Sequence, residues 1–335
     1  MKFGLLAHRN SVNLGDHIQS LAARQFLPRV DCIVERECLH EAANAGPLKV
    51  IMNGWWMKHP EHWPPPPNII PLFVSFHITT GPARAAMVTE TSLAYLRKHG
   101  PIGCRDLSTM EFLRDAGINA YFSGCLTMTF PRRPRATAGE VLFVDAFRGH
   151  FFETLPATQR DQEGKLWGHR AADYAGDRRR IPDHKLLARI AGMPEDWCIA
   201  ARQASAVISR DTSHDTKFDQ ATSLLEQYAN AKVIVTSRLH AVLPATAMGV
   251  PCMFVFKDEP SLGAAVVNRS DQGHDCTRHD PRLSGLIDRT PHATLSQLLD
   301  GLPAAQWVTL AAESPCHEPD MVSALSARVR GFLGS

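Results

Sequence analysis

No Cys-x-x-Cys pair and no His-Glu-x-x-His motif occur in these 335 residues, although the chain has eight cysteines and sixteen histidines. Ligands dispersed in this way argue against a zinc site, and no metal or cofactor is expected. Cys32, Cys104, Cys125, Cys198 and Cys252 lie in or beside apolar segments. That placement reads as packed thiols of a reducing compartment, not a disulfide framework. A bilayer-spanning run is also missing, because the longest apolar stretch, 241–256, is broken by Pro244, Gly249 and Pro251. The apolar residues 3–7 stop at His8 and Arg9, too short for a secretory signal. The expectation is a cytoplasmic protein with no transmembrane segment, peripheral contact at the inner face of the membrane being left open. A formal net charge of +2 gives no global pull toward nucleic acid, so any anion recognition has to be local.

What is present is an ordinary globular composition, 44% hydrophobic and 21% charged, in a chain long enough for two domains. Short apolar runs at 3–7, 50–52, 72–76, 101–104 and 120–122 alternate with helical patterns, which implies a parallel, doubly wound sheet. Ser108 and Glu111 make a capping-box pattern for one of those helices. Residues 131–139 mix charge, proline and glycine without period and read as a linker. Beyond it come strands at 141–144 and 206–208, and an apolar stripe through Phe218, Ala221, Leu224, Leu225 and Tyr228 that needs only a core to explain it. The expected fold is α/β, with Rossmann-like domains at 1–135 and 136–335 facing a central cleft.

The most informative stretch is 231–256. A β-branched strand hands over through Ser237-Arg238-Leu239-His240 to a helix closed by Gly249, and a second strand follows Pro251. The handover stands at the carboxyl end of a strand, where open α/β sheets bind ligands. Two cationic-type side chains at the positive end of a helix dipole call for an anion. A surface ion pair for Arg238 and a helix hydrogen bond for His240 would be the plain alternative.

Together with Asn13-Leu-Gly15-Asp16 and Gln19 near the amino end, and with Asn53-Gly-Trp55, Ser75-Phe-His77, Gly103-Cys-Arg105-Asp106 and Ser123-Gly-Cys-Leu-Thr127 between, this unit resembles the polysaccharide pyruvyltransferase family. The resemblance runs to about Asp288. It implies a GT-B-like fold and transfer of pyruvate from phosphoenolpyruvate to a sugar as a ketal, in cell-surface polysaccharide assembly. It also implies that Arg238, Leu239, His240 and Arg105 hold phosphoenolpyruvate, and that His77 reaches the site.

Phosphoenolpyruvate carries a carboxylate and a phosphate on one carbon, which suits planar two-donor guanidinium groups and backbone N–H groups. Arg105 and Arg238 are the expected clamp, with Asn13, Gly15 and Ser237 as further substrate contacts. Ketal formation needs proton transfer, for which His77, His240 and His214 are candidates, with Asp16 or Asp106 to activate a hydroxyl or orient a histidine. Asp106 could equally be the salt-bridge partner of Arg105. Trp55 and Trp56 suit either sugar stacking or the core. The Arg178-Arg-Arg180 run reads as a solvated face, or as a contact for an anionic lipid-linked or polymeric acceptor. The rival readings are a glycosyltransferase or sugar-nucleotide enzyme on the same fold, and a non-catalytic sugar or anion binder.

Overall fold

The computed structural model describes residues 1–135, 139–146, 184–256, 280–288, 290–312 and 319–334; the run 178–180 lies outside them. Its strands are β1 (Lys2–Ala7), β2 (Cys32–Glu35), β3 (Leu48–Ile51), β4 (Gly54–Trp56), β5 (Ile69–Leu72), β6 (Phe76–Ile78), β7 (Ile102–Cys104) and β8 (Ala120–Phe122) in the first part. They form two four-stranded parallel sheets, ordered β2-β1-β3-β5 and β4-β6-β7-β8. The two sheets are nearly one. β4 follows β3 and β6 follows β5 after two or three residues, and Met52 N–H to Leu72 O (2.8 Å) and Gly54 N–H to Ser75 O (3.1 Å) carry the pairing across the break. Gly54 (φ 108°) and Ser75 (φ 54°) make the bend there, which is why the single strand expected at 72–76 is interrupted.

The second part holds β9 (Val141–Val144), β10 (Ala201–Ala204), β11 (Val233–Thr236), β12 (Cys252–Phe256) and β13 (His292–Thr294), all parallel in the order β10-β9-β11-β12-β13. Every residue of β9, β11 and β12 is buried, as expected of a parallel sheet covered on both faces. Their side chains alternate between two cores: Leu142, Val144, Ile234 and Phe254 on one face, Val141, Phe143, Val235 and Val255 on the other. Mixed α/β architecture with parallel sheets therefore agrees with the sequence pattern.

The helices are α1 (Leu14–Arg24), α2 (Pro82–Met87), α3 (Glu90–Lys98), α4 (Leu107–Asp115), α5 (His184–Ile190), α6 (Glu195–Ala200), α7 (His214–Ala229), α8 (Leu239–Met248), α9 (Leu295–Leu299), α10 (Ala304–Ala312) and α11 (Pro319–Gly334). Leu14 and Ile18 of α1, with Cys125 and Met128, enter the same apolar cluster as Ala221 of α7 and Leu243 of α8. The first and second parts are thus joined by a shared core. Leu14 N–H to Ala206 O (2.7 Å) and Ile208 N–H to Val12 O (3.0 Å) add backbone bonds between them. Those bonds also correct the expected strand at 206–208: the strand is β10, at 201–204, and 206–208 meets the loop before α1 through an isolated Asn13–Val207 bridge. At the carboxyl end, Leu325 and Val329 of α11 pack in one cluster with Leu5, Ile51 and Leu72 of the first sheet.

Candidate active site

In the β4-β6-β7-β8 sheet, Trp55 of β4 and His77 of β6 are register partners and share a face. Trp56 points the other way and is fully buried among Phe76 and Trp63, so it belongs to the core. Trp55 is half-buried with the Arg36 guanidinium 3.8 Å over its ring. One strand further, β7 ends in Arg105 and Asp106. Asp106, not Ser108, caps α4: its Oδ1 accepts the Thr109 N–H at 2.9 Å. The expected Ser108/Glu111 capping box is therefore corrected, since the helix begins two residues earlier on a better-placed carboxylate.

The other oxygen, Asp106 Oδ2, is 2.6 Å from His77 Nδ1 and 3.6 Å from Arg105 Nε. All three residues are buried. Burial alone would raise the Asp106 carboxyl, but the His77 hydrogen bond and the Arg105 charge hold it below its ordinary value. Burial and Arg105 together push the His77 imidazole down against the opposing pull of Asp106. The stable arrangement is a carboxylate accepting from a neutral His77 Nδ1–H, which leaves Nε2 with its lone pair and no partner among the described residues. Arg105 Nη1 also reaches Gln19 Oε1 of α1 at 3.5 Å, while the Gln19 carbonyl accepts from Asn53 Nδ2 at 2.8 Å.

The second sheet presents a matching edge. Arg238 is the residue before α8, and its Nε and Nη2 both lie 2.8 Å from Asp145 Oδ2. Asp145 follows β9 with φ 49°, a left-handed backbone that a non-glycine residue adopts at some strain. It is held there by Ser205 Oγ (3.0 Å to Oδ1) and the Ala206 N–H (2.9 Å to Oδ2), and its carbonyl accepts from Ser237 Oγ at 2.8 Å. Ser237 thus serves the backbone of Asp145. Asp145 was missed by sequence reasoning because it lies 93 residues from its arginine. Its one local signal is a charge closing the buried strand 141–144.

His240 links the two edges. Pro244 lies four residues on and cannot donate to the His240 carbonyl, and His240 accordingly leaves helical geometry at φ −88°, ψ 22°. Gly15 lets this turn approach α1: a Cβ there would stand 3.1 Å from His240 Cβ and 3.0 Å from Asn13 Oδ1. Asn13 itself caps α1 by accepting the Gly15 N–H at 3.0 Å, and Leu239 packs against the shared core. Cys125 Sγ, from the loop after β8, is 3.8 Å from His240 Nε2 and accepts from Thr127 Oγ1 at 3.1 Å. Burial and the Arg105 charge push the His240 imidazole down to about 3, with Asp16 pulling the other way and Arg282 and His77 adding to the depression. Asp16 Oδ2 accepts from Ser11 Oγ at 2.6 Å. Arg105 thus acts on a neutral imidazole that stands two residues beyond Arg238 in the chain.

In a comparison with known families, residues 13–255 match the description "polysaccharide pyruvyl transferase". The chain belongs to this family. It is accordingly a transferase enzyme, and the family points to a polysaccharide acceptor. A comparison with curated proteins returns no match. Among the described residues no helix of this pyruvyl transferase is long and apolar enough to cross a membrane.

Three further histidines of the pyruvyl transferase, His214, His8 and His17, lie toward β1 and β2. His214 opens α7, and its Nε2 lies 3.4 Å from Glu35 Oε2, so its partner is a carboxylate at the end of β2 and not one of the Arg105 group. Burial raises the Glu35 carboxyl and lowers His214. His8, at the end of β1, was passed over in the sequence as a strand terminator; it is buried with its ring 5.7 Å from that of His17. Burial and the Arg36 charge push His8 down, and burial takes His17 to about 4. The sequence signal that could have found His8 is its position, since a polar residue closing the first strand lands beside the switch point between β1 and β3.

Proposed function

We propose that this pyruvyl transferase takes pyruvate from phosphoenolpyruvate and sets it as a ketal on two hydroxyls of a sugar, at a cleft between regions 1–135 and 136–335. The observation that carries the reading is a buried arginine just past a parallel strand in each part of the chain, Arg105 and Arg238, each backed by an aspartate. Two planar cations at fixed angles suit a ligand that presents a carboxylate and a phosphate on one carbon. His77, with Nδ1–H on Asp106 and a lone pair on Nε2, suits removal of a proton from an attacking hydroxyl. His240 is the proposed proton donor to the donor's methylene carbon. Its imidazole is kept neutral by burial and by the Arg105 charge, and an incoming anion that offsets that charge would raise its proton affinity.

The reaction balances without an outside reductant or oxidant. The methylene gains a proton, one sugar oxygen bonds to the adjacent carbon, the C–O bond to phosphate breaks, and a second hydroxyl closes the ketal. The two hydroxyl protons end on the new methyl group and on inorganic phosphate. Working on a lipid-linked or polymeric glycan, the enzyme is proposed to act in the cytoplasm at or near the inner face of the membrane in exopolysaccharide biosynthesis. The test is release of phosphate from phosphoenolpyruvate in the presence of a panel of sugars and glycans. Sugar-dependent release supports the reading; release of nucleoside diphosphate from nucleotide sugars, with phosphoenolpyruvate untouched, replaces it with a glycosyltransferase.

A further inference from the structure

β4 opens on Gly54, whose φ of 108° only glycine adopts without strain. The space over it is left open. A Cβ there would stand 3.8 Å from Gln19 Oε1 and 4.0 Å from His8 Cε1, and apart from its chain neighbours no other atom of the described residues comes within 4 Å. Cε1 lies between the two ring nitrogens, so His8 turns its hydrogen-bonding edge to this gap. His8 is 2% exposed, yet its Nδ1 has no hydrogen-bond partner among the described residues. A buried polar atom left in that way is costly, and a hydroxyl-bearing ligand satisfies it. On the other side of the gap, Gln19 Oε1 accepts from Arg105 Nη1 at 3.5 Å and keeps a second lone pair.

Trp55 follows Gly54 and is half-buried. The Arg36 guanidinium over its ring is fixed by Glu37 Oε1, 2.9 Å from Nε and 2.7 Å from Nη2. Glu37 Oε2 in turn accepts the Lys58 and His59 N–H groups, each at 2.9 Å. The indole is therefore backed on one face by an anchored cation whose charge is already matched, and no second cation of the described residues covers the other face. His77 is the register partner of Trp55 on the next strand, about 4.8 Å away across the sheet.

We propose that this gap is the subsite for the acceptor sugar: the ring lies on the open face of Trp55, and one hydroxyl enters over Gly54 between His8 and Gln19. The inference rests on the sugar acceptor of the reading above and adds where that sugar binds. The donor set decides the ligand class. An aromatic face, an imidazole edge and an amide oxygen suit the C–H groups and hydroxyls of a sugar, whereas a second anion would find the Arg36 charge already taken by Glu37. The position decides the role. A hydroxyl on Gln19 Oε1 stands beside Arg105 of the donor clamp, and a ring on Trp55 stands one strand from His77, the proposed base.

The experiment titrates the full chain as wild type, Trp55→Ala, Trp55→Phe and His8→Phe with the methyl glycosides of glucose, galactose and mannose and, separately, with phosphoenolpyruvate. Sugar binding is read by calorimetry and donor binding by thermal shift. At least one glycoside should bind the wild type without phosphoenolpyruvate. Its Kd should rise about tenfold in Trp55→Ala, the order of a lost aromatic contact, and rise also in His8→Phe, while Trp55→Phe stays close to wild type. The phosphoenolpyruvate shift should be the same in every variant. Unchanged glycoside affinity in Trp55→Ala and His8→Phe overturns the proposal. So does a wild type that binds none of the glycosides, or a variant that loses its phosphoenolpyruvate response along with the sugar. A wild type that binds a glycoside through Trp55 and His8 but shows no phosphoenolpyruvate shift keeps the sugar subsite and removes the pyruvyl donor reading instead.

Discussion

Arg105 and Arg238 occupy equivalent places, each just past the carboxyl end of a buried parallel strand, yet their supporting carboxylates differ in kind. Asp106 is the next residue in the chain and is shared: it caps α4, binds His77 and lies 3.6 Å from Arg105. Asp145 comes from a different strand, 93 residues away, and its contact with Arg238 is shorter, 2.8 Å. The first edge therefore couples its cation to a proton-transfer group, and the second fixes its cation firmly in place. The local pair shares its carboxylate with a proton-transfer group, whereas the pair assembled by tertiary structure shares it with Ser205 and the Ala206 N–H, which only hold it in place.

The widest effect should come from the tight member. Arg238→Lys keeps the charge but loses the planar two-donor contact, and turnover should almost vanish while circular dichroism is unchanged. Near wild-type phosphate release would remove Arg238 from the clamp. Next in size is Asp106→Asn, which preserves the helix cap but lets His77 lose its anionic partner and its fixed tautomer. Steady-state kinetics should give a fall of roughly 10²- to 10⁴-fold in kcat, the usual worth of a positioned general base, with little change in melting temperature. Loss of fold with activity per folded molecule intact would mean that Asp106 is only a cap.

Asp145→Ala should be mainly a stability defect, since it leaves the buried Arg238 without its carboxylate. Urea unfolding should show a loss of about 3–5 kcal/mol, and Asp145→Asn a smaller one. Equal stability of wild type and Asp145→Ala would show that the strained backbone there offsets the ion pair. At neutral pH the smallest effect concerns the histidines. His8, His17, His77 and His240 all have folded-state proton affinities below the ordinary histidine value, so the unfolded chain binds protons first as the pH falls. Stability should therefore be full above about pH 6.5 and decline below it, by up to about 1.4 kcal/mol per pH unit for each such proton. Replacing His17 by Gln should flatten that slope between pH 6.5 and about 4, where His17 titrates in the folded chain. An unchanged slope would show that His17 is not one of the groups involved.

How much of this was legible in the sequence follows the same division. The strand-to-helix handover at 236–240 could be read because strand, turn, helix and Gly249 are contiguous, and the periodicity exposes them. Arg105 and His77 lay next to strands of the right composition. Asp145 could not be read, because nothing local marks which of 34 acidic residues closes on Arg238. The turn at 281–283 lay beyond the motifs, and the docking of Ser284 on α4 is a contact with no periodic signal. The strand at 201–204 was displaced to 206–208 in the sequence reading because Arg202 and Gln203 break the apolar pattern on an edge strand that tolerates them. Pro244, read only as a break in an apolar run, turns out to shape the backbone of His240.

The central claim is that one anionic donor is gripped from both edges at once. Thermal unfolding of wild type, Arg105→Ala, Arg238→Ala and the exposed control Arg202→Ala, with and without phosphoenolpyruvate, tests it most directly. At a hundredfold excess over Kd the ligand should stabilise wild type and the control by about 2.7 kcal/mol. Each of the two site variants should lose most of that gain. Retention of the shift in either one, or a larger shift from a nucleotide diphosphate sugar with phosphoenolpyruvate silent, would contradict the account.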